Sequence, residues 1–254
     1  MNTAAQALFG TLCWPLLSSL CWAQTPNAEP LKIYVNAFGF STQWQPQDPE
    51  AKLPISYSLD VPFSNSLDHI KMAHTLYLDV SKGPWGLYFD QQYIKATVDD
   101  QLYGIDFQLK AKMDRRSLGT YVNVVGDNAH LGPAKTILAP TIGLHQTKVG
   151  VDLSADFMGQ THTLSRTASW HEPYLGVRFA HEFNRHWVLY GQANVGTRRS
   201  KEYLSYIAYR DELFNRPMNV RLGYRILNQK HIKDDFTWDV NEKSLMLGFS
   251  VQLH

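Results

Sequence analysis

Cysteine is nearly missing from this chain of 254 residues, which contains only Cys13 and Cys21. Both lie in the first 23 residues, a stretch rich in Leu, Ala and Trp that carries no charged side chain and ends in a small-x-small pattern. This stretch predicts a secretory signal peptide over 1–23, followed by one mature domain over 24–254; a buried N-terminal helix or a membrane anchor is the alternative. A mature chain without cysteine has no disulfide framework, no thiolate metal site and no cysteine nucleophile.

Long hydrophobic runs and a large net charge are missing as well. No internal run approaches the ~20 apolar residues of a transmembrane helix, which excludes a helical membrane bundle. The formal net charge is +1 and the mean hydropathy is -0.30, so bulk electrostatics gives no reason to expect a nucleic-acid partner. A membrane β-barrel remains compatible with this composition, because each of its strands presents only alternate residues to lipid.

Alternation of apolar and polar residues is what the chain has in abundance after residue 25. In the stretch 173–199, for example, Leu175, Val177 and Phe179 face one way and Arg178 faces the other. Period-two alternation is typical of β-strands with two different environments on their two faces. It recurs along the chain in segments about as long as a tilted strand that crosses a bilayer.

The segments predict an all-β fold, an up-and-down antiparallel transmembrane β-barrel of about twelve strands, with ten as the alternative. In the twelve-strand version, longer loops alternate with short turns near Gly83, Arg115, Thr147, Asn184 and Arg216. Alternation alone also fits a soluble barrel with its apolar face inside. Aromatic residues near the strand ends favour the membrane, as an interfacial girdle: Trp85, Tyr93, Trp187, Tyr203 and Tyr224.

If the apolar face meets lipid, the charged residues of the opposite face point into the barrel and line its lumen. In the segment 103–114 this assigns Met113 to lipid and Lys112 to the lumen. Such charges pair with one another or contact water, because an unpaired charge away from water is costly. The predicted lumen-lining residues are Lys71, Asp79, Asp90, Asp106, Lys110, Lys112, Arg178, Glu182, Arg198, Arg221 and Arg225.

Four short motifs carry a resemblance to known proteins: WGLYFD at 85–90, EPYLGVR at 172–178, GYRIL at 223–227 and LGF at 247–249. They resemble landmarks of a largely uncharacterised family of outer-membrane β-barrel proteins from Gram-negative bacteria. The resemblance implies a porin-like location in the outer membrane, with outer-membrane lipid, lipopolysaccharide and the barrel assembly machinery as partners. The ending Gln252-Leu253-His254 departs from the terminal aromatic residue that is common in such barrels.

The leading functional prediction is a non-catalytic outer-membrane barrel, either a narrow channel or a structural barrel, without a cofactor or a metal site. A lipid-modifying hydrolase of the outer membrane is the second reading, and His162 with Ser165 is the nearest Ser-His arrangement. His181 and His186 flank a predicted turn without a companion carboxylate, which is weak evidence for a metal. A secreted soluble barrel that binds an apolar ligand is the third reading.

Overall fold

The computed structural model describes residues 31–46, 70–102, 105–126, 136–157, 160–213, 216–233 and 236–253. The predicted signal peptide, 1–23, therefore lies outside the described residues. The described chain contains ten strands: β1 (Lys32–Pro46), β2 (Ile70–Lys82), β3 (Trp85–Leu102), β4 (Ile105–Val122), β5 (Thr136–Phe157), β6 (Gln160–Glu182), β7 (Trp187–Gly196), β8 (Lys201–Leu213), β9 (Arg216–Lys233) and β10 (Phe236–Gln252). No described segment is a helix with the length and apolarity needed to cross a membrane.

The ten strands form one closed antiparallel barrel, in which β1 pairs with both β2 and β10. Following the register once around the barrel from Glu182 leads through Arg221 and Arg115 and returns to β6 at Trp170, twelve residues away. This stagger means that the strands are tilted relative to the barrel axis. Closure leaves no unpaired sheet edge within the barrel.

The connections define two ends of the barrel. One end, here called the turn end, carries the beginning of β1, the end of β10 and the connections 83–84, 123–135, 183–186 and 214–215. The opposite end, the loop end, carries the connections 47–69, 103–104, 158–159, 197–200 and 234–235. At the turn after β2, Gly83 has a φ of 57°, a backbone conformation that glycine adopts without strain.

The strand count is ten, the alternative of the sequence prediction, because two pairs of predicted strands are single long strands. The turns predicted near Arg115 and Thr147 are wrong: both residues lie inside strands, and they are direct partners in the pairing of β4 with β5. The 123–135 connection consequently lies at the turn end.

The outer surface carries a band of exposed apolar side chains, which we call the apolar band. Leu175 and Leu247 are 64% and 62% exposed, which is unusual for leucine in water. Trp85 and Trp187 flank the band beside the turn end, and Tyr203 lies on the outer surface near the loop end. The band includes Leu87, Leu118, Ile142, Leu175, Val177, Val195, Ile207, Val220, Leu222, Leu245, Leu247 and Phe249.

This exterior shows that the barrel spans a membrane, because a bilayer core solvates an apolar band that water does not. The soluble barrel with an apolar interior is thus wrong for the part of the chain that carries the band. There, the inner face is polar and the outer face apolar.

The two faces exchange character toward the loop end. The last apolar row outside joins Phe89, Leu118, Leu144 and Pro173 across β3 to β6. The next outward-facing row toward the loop end consists of Gln91, Arg116, Gln146 and His171. The outward-facing rows beyond it carry mostly polar side chains. The inner face at this level holds an apolar cluster of Phe38, Ile94, Ala111, Met113, Val149, Trp170, Leu227, Trp238 and Met246. Strands β3 to β6 therefore continue past the membrane as a barrel wall with water outside.

Candidate functional site in the barrel interior

The interior has three layers along the axis. A cavity of about 710 Å³ opens at the turn end, and we call it the vestibule. Above it lies a layer of buried ion pairs built from Asp90, Arg115, Glu202 and Arg225. The apolar cluster fills the bore toward the loop end.

Arg178 forms the inner wall of the vestibule. Its Nη2 donates to Asp79 Oδ2 at 2.9 Å, and its guanidinium carbon lies 4.1 Å from the centre of the Tyr121 ring and 5.2 Å from that of Tyr88. The hydroxyl of Tyr121 donates to the other oxygen of Asp79 at 2.8 Å. The Arg178 side chain is thus held by one ion pair and by cation–π contacts.

A row of tyrosines and glycines narrows the bore at this level. Tyr88, Gly119, Gly143 and Tyr174 are consecutive partners across β3, β4, β5 and β6. The two tyrosine hydroxyls meet at 2.6 Å, above the two glycines. A Cβ atom on Gly119 would lie 2.6 Å from Tyr88 Cζ, so only glycine leaves room for the ring. Because the two glycines have no side chain, the rings of Tyr88 on β3 and Tyr174 on β6 can meet although these strands are not neighbours.

Two further vestibule arginines come from β8 and β9. Arg210 forms an ion pair with Glu182 of β6. Arg221 donates from Nη1 to the Tyr206 hydroxyl at 3.0 Å and lies over the rings of Tyr206 and Tyr190, 4.8 Å and 5.4 Å from their centres. The vestibule is therefore lined by alternating guanidinium, carboxylate and phenol groups.

The ion-pair layer connects opposite walls of the barrel. Arg115 of β4 donates to both oxygens of Glu202 on β8, at 2.9 Å and 3.1 Å. Arg225 of β9 donates to Asp90 of β3 at 2.6 Å, and its Nε lies 3.3 Å from Glu202. All four side chains are buried, so these pairs form away from bulk water, where an unpaired partner would be costly.

His145 and Asn194 complete this layer. His145 Nε2 lies 3.0 Å from Arg115 Nη2, its Nδ1 lies 2.8 Å from the Ser117 hydroxyl, and its ring stacks on Tyr174 with 3.9 Å between the centres. Asn194 donates to Glu202 at 2.9 Å. The layer is thus continuous with the tyrosine row below it.

Most of the predicted lumen residues lie on the inner face, including Asp79, Asp90, Arg178, Glu182, Arg221 and Arg225. Arg198 lies in the connection between β7 and β8, with Nη1 3.3 Å from His231 Nδ1. The side chain of Lys71 lies outside the described part of the structure. A role of these residues on a solute path remains a prediction.

Asp106, Lys110 and Lys112 are the exceptions, because the structure places the opposite face of β4 inside. Ala111 and Met113 are buried in the apolar cluster, whereas Lys112 and Asp106 are exposed. The prediction from the sequence assumes that lipid covers the outer face of β4 along its whole length. This part of β4 lies beyond the apolar band, where water solvates the outer face.

Sequence reasoning missed Arg115, Glu202 and Arg210. Arg115 stands where the alternation of β4 changes phase, which was interpreted as a turn. Glu202 and Arg210 lie in a segment whose two faces alternation does not distinguish, because Tyr and aliphatic residues occur on both. Their cross-barrel partners are far away in sequence, so no local pattern could reveal the pairs.

The histidines give no support to the hydrolase reading. His162 and Ser165 are three positions apart on β6, so their side chains point to opposite faces of the strand. His181 Nδ1 lies 2.9 Å from the Thr136 hydroxyl, and His186 Nδ1 lies 3.0 Å from the Arg210 carbonyl oxygen. Within the described residues, no group of three or more His, Asp or Glu side chains is arranged to hold a metal ion.

No protein-family model and no curated protein sequence matches the chain. Among solved structures, Ail, the attachment invasion locus protein of Yersinia pestis, aligns with 12% identity and a TM-score of 0.36 over 89% of this chain and 99% of that chain. Neisserial surface protein A aligns with 13% identity and a TM-score of 0.34 over 88% and 99%. The translocator domain of autotransporter NalP from Neisseria meningitidis aligns with 9% identity and a TM-score of 0.29 over 97% of both chains.

These low values add nothing to the architecture that the strand pairing already shows, and the resemblance of the four motifs to one family remains a prediction. The chain's own geometry is sufficient for the broader assignment. A closed antiparallel barrel with an even number of strands, an apolar exterior band and a polar interior at the level of that band is an outer-membrane β-barrel.

Proposed function

We propose that this outer-membrane barrel is non-catalytic and closed, and that it serves as a structural barrel at the cell surface and not as a channel. The filled bore above the vestibule carries this proposal. In a water-filled channel the lumen charges contact solvent. Here Arg115, Glu202, Arg225 and Asp90 pair with one another and are almost completely buried.

The apolar cluster supports the same conclusion. Ile94, Met113, Trp170 and Met246 come from four different strands and fill the bore next to the ion-pair layer. Each is at most 4% exposed. An ion that crossed this cluster would lose its hydration without gaining polar partners, which is costly.

Conductance in planar bilayers tests closure. We expect no stepwise conductance from the wild-type protein, because two filled layers close the bore. A heat-modifiable shift in gel mobility of the same sample is the control that the barrel is folded. Reproducible single-channel steps from the folded protein would contradict the proposal and restore the narrow channel.

We also propose lipopolysaccharide as the lipid partner, recognised by lysines just beyond the apolar band. Lys95 and Lys112 are direct partners on the outer face of β3 and β4, and Lys148 of β5 lies on the same face. None of the three forms an ion pair with a described residue. Like charges directly opposite each other destabilise a sheet, and a phosphate placed between them would relieve the repulsion.

Lipid co-purification tests this partner. The triple variant Lys95→Gln, Lys112→Gln and Lys148→Gln should carry severalfold less lipopolysaccharide than the wild type after extraction from outer membranes. The matched control, Arg166→Gln, Arg185→Gln and Arg216→Gln, removes the same charge from exposed sites elsewhere. Equal retention in wild type and lysine variant, or equal loss in both variants, would show that the lysines are not the site.

A further inference from the structure

Arg221 differs from Arg178 and Arg210, the two other strand arginines that line the vestibule, because no described carboxylate forms an ion pair with it. Arg185 also lines the vestibule without an ion pair to a described residue, but it is exposed in the 183–186 connection, where water solvates its charge. Arg178 pairs with Asp79 and Arg210 pairs with Glu182, but Arg221 forms no ion pair with any described residue. Its side chain nevertheless lines the vestibule, and the residue is only 5% exposed. A buried cation without a counter-charge is costly, and neither Asp211 nor Glu212, the exposed carboxylates of the same lining, forms an ion pair with Arg221, so an anion bound beside it would be stabilised.

A second feature of Arg221 is a hydrogen-bond donor that has no partner among the described residues. Nη1 of Arg221 is occupied by the Tyr206 hydroxyl, whereas Nε is buried and has no hydrogen-bond partner among the described residues. Nη1 of Arg178, on the wall of the same cavity, is also buried and without a partner. Two guanidinium groups of one cavity thus each keep a donor unused.

The dimensions of the vestibule are those of a small-molecule site. Its volume of about 710 Å³ lies in the usual range for ligand pockets of roughly 300–1,000 Å³. Tyr34, Tyr190 and Tyr206 supply aromatic walls beside Arg221. Aromatic rings bury the apolar part of a ligand, while a guanidinium binds an oxyanion through charge-assisted hydrogen bonds.

We propose that the vestibule binds a small organic anion from the compartment at the turn end. The carboxylate or phosphate group of this ligand pairs with the guanidinium of Arg221, and its apolar remainder packs against the tyrosines. The site goes beyond the proposed structural role and does not depend on closure of the bore, because the described residues leave the vestibule open at the turn end.

Binding of fluorobenzoate, followed by fluorine NMR on the folded protein in a non-ionic detergent, tests the proposal. We expect saturable binding, and Arg221→Gln should weaken it about tenfold or more, since one charge-assisted contact is worth more than ~1.4 kcal/mol. Competition with inorganic phosphate shows whether the oxyanion alone is sufficient or the aromatic carboxylate is required. Arg166→Gln, an exposed arginine of β6 with the same charge change, should bind as the wild type does.

Several outcomes would overturn the inference: no saturable binding of either probe to the wild type, unchanged binding in Arg221→Gln, or equal weakening in Arg166→Gln. Heat-modifiable mobility shows whether each variant is folded. If Arg221→Gln does not fold, Arg221→Lys keeps the positive charge but loses the planar fork. It should then bind severalfold more weakly than the wild type, and wild-type affinity in this variant would contradict a role of the guanidinium.

Discussion

Gly119 and Gly143 show how single small residues shape the bore of this barrel. Both face inward beneath Tyr88 and Tyr174, and the absence of Cβ atoms lets the two hydroxyls meet. Aromatic rings that cover glycines on a neighbouring strand also shield the exposed backbone of those glycines. Two large side chains therefore fit next to each other in one row of a narrow bore.

Substitution of Gly119 by alanine should therefore destabilise the folded barrel. The added methyl group would overlap the Tyr88 ring and separate the tyrosine hydroxyls, and overpacking of this kind costs about 1–3 kcal/mol. Gly39→Ala is the matched control, because a Cβ atom there has no neighbour within 4 Å. Urea unfolding in detergent, followed by loss of heat-modifiable mobility, measures both variants. A shift for Gly39→Ala as large as that for Gly119→Ala would show that the ring contact is not the cause.

The polar residues of the interior were only partly visible in the sequence. Alternation places Asp90 and Arg225 on the inward face of their strands, but it does not show that they contact each other across the barrel. That contact requires β3 and β9 to curve toward the same axis. A closed sheet brings together residues that are 135 positions apart in the chain.

Strand β4 shows what period-two reasoning can and cannot resolve. Its apolar residues are at odd positions up to Met113 and at even positions from Leu118 onward. The change of phase was interpreted as a turn between two strands, with Arg115 in it. In the structure the strand continues and the environment changes, because the lipid boundary crosses the strand between these residues. Strand β5 shows the same change near Thr147.

Cysteine labelling checks this boundary directly. In cells treated with a membrane-impermeant maleimide, Lys112→Cys should react, because its side chain lies in water at the loop end. Met113→Cys and Leu118→Cys should not react, since one side chain is buried in the apolar cluster and the other faces lipid. Unfolding in detergent should make all three reactive.

The wild-type protein is the background control for this experiment, because Cys13 and Cys21 both lie in the predicted signal peptide. No reaction at position 112 in the folded protein would support the orientation expected from alternation alone, which places Lys112 in the closed lumen and Met113 in lipid. It would contradict the exchange of faces along β4.

The complete barrel is stabilised by closure and by the contrast between its two surfaces. Ten strands pair without a free edge, the apolar band meets lipid, and most of the interior charges, Arg221 excepted, form ion pairs. Removal of the membrane leaves the apolar band in water. We therefore expect this chain to require a bilayer or detergent although its composition is that of an ordinary soluble protein.

Fractionation of cells tests the location and the closed fold together. The mature protein should be found in the outer membrane, and its gel mobility should shift when a detergent sample is boiled, because a closed barrel of ten strands resists detergent until it is heated. A variant of an exposed residue at the start of β8, Lys201→Gln, should behave identically. A protein that stays soluble and shows no shift would contradict the membrane barrel.

Local alternation was sufficient to predict an antiparallel membrane barrel, most of its strands and six of the inward charges, because each strand reports its own two environments. The number of strands and the orientation of β4 beyond the band were decided only by the tertiary structure. A change in the phase of the apolar-polar alternation can mark either a turn or a lipid boundary, and the sequence does not distinguish the two. The pairing of Arg115 with Glu202, the tyrosine row and the unpaired Arg221 followed from closure. Sheet register and barrel curvature, which no short segment encodes, determine which side chains meet across the bore.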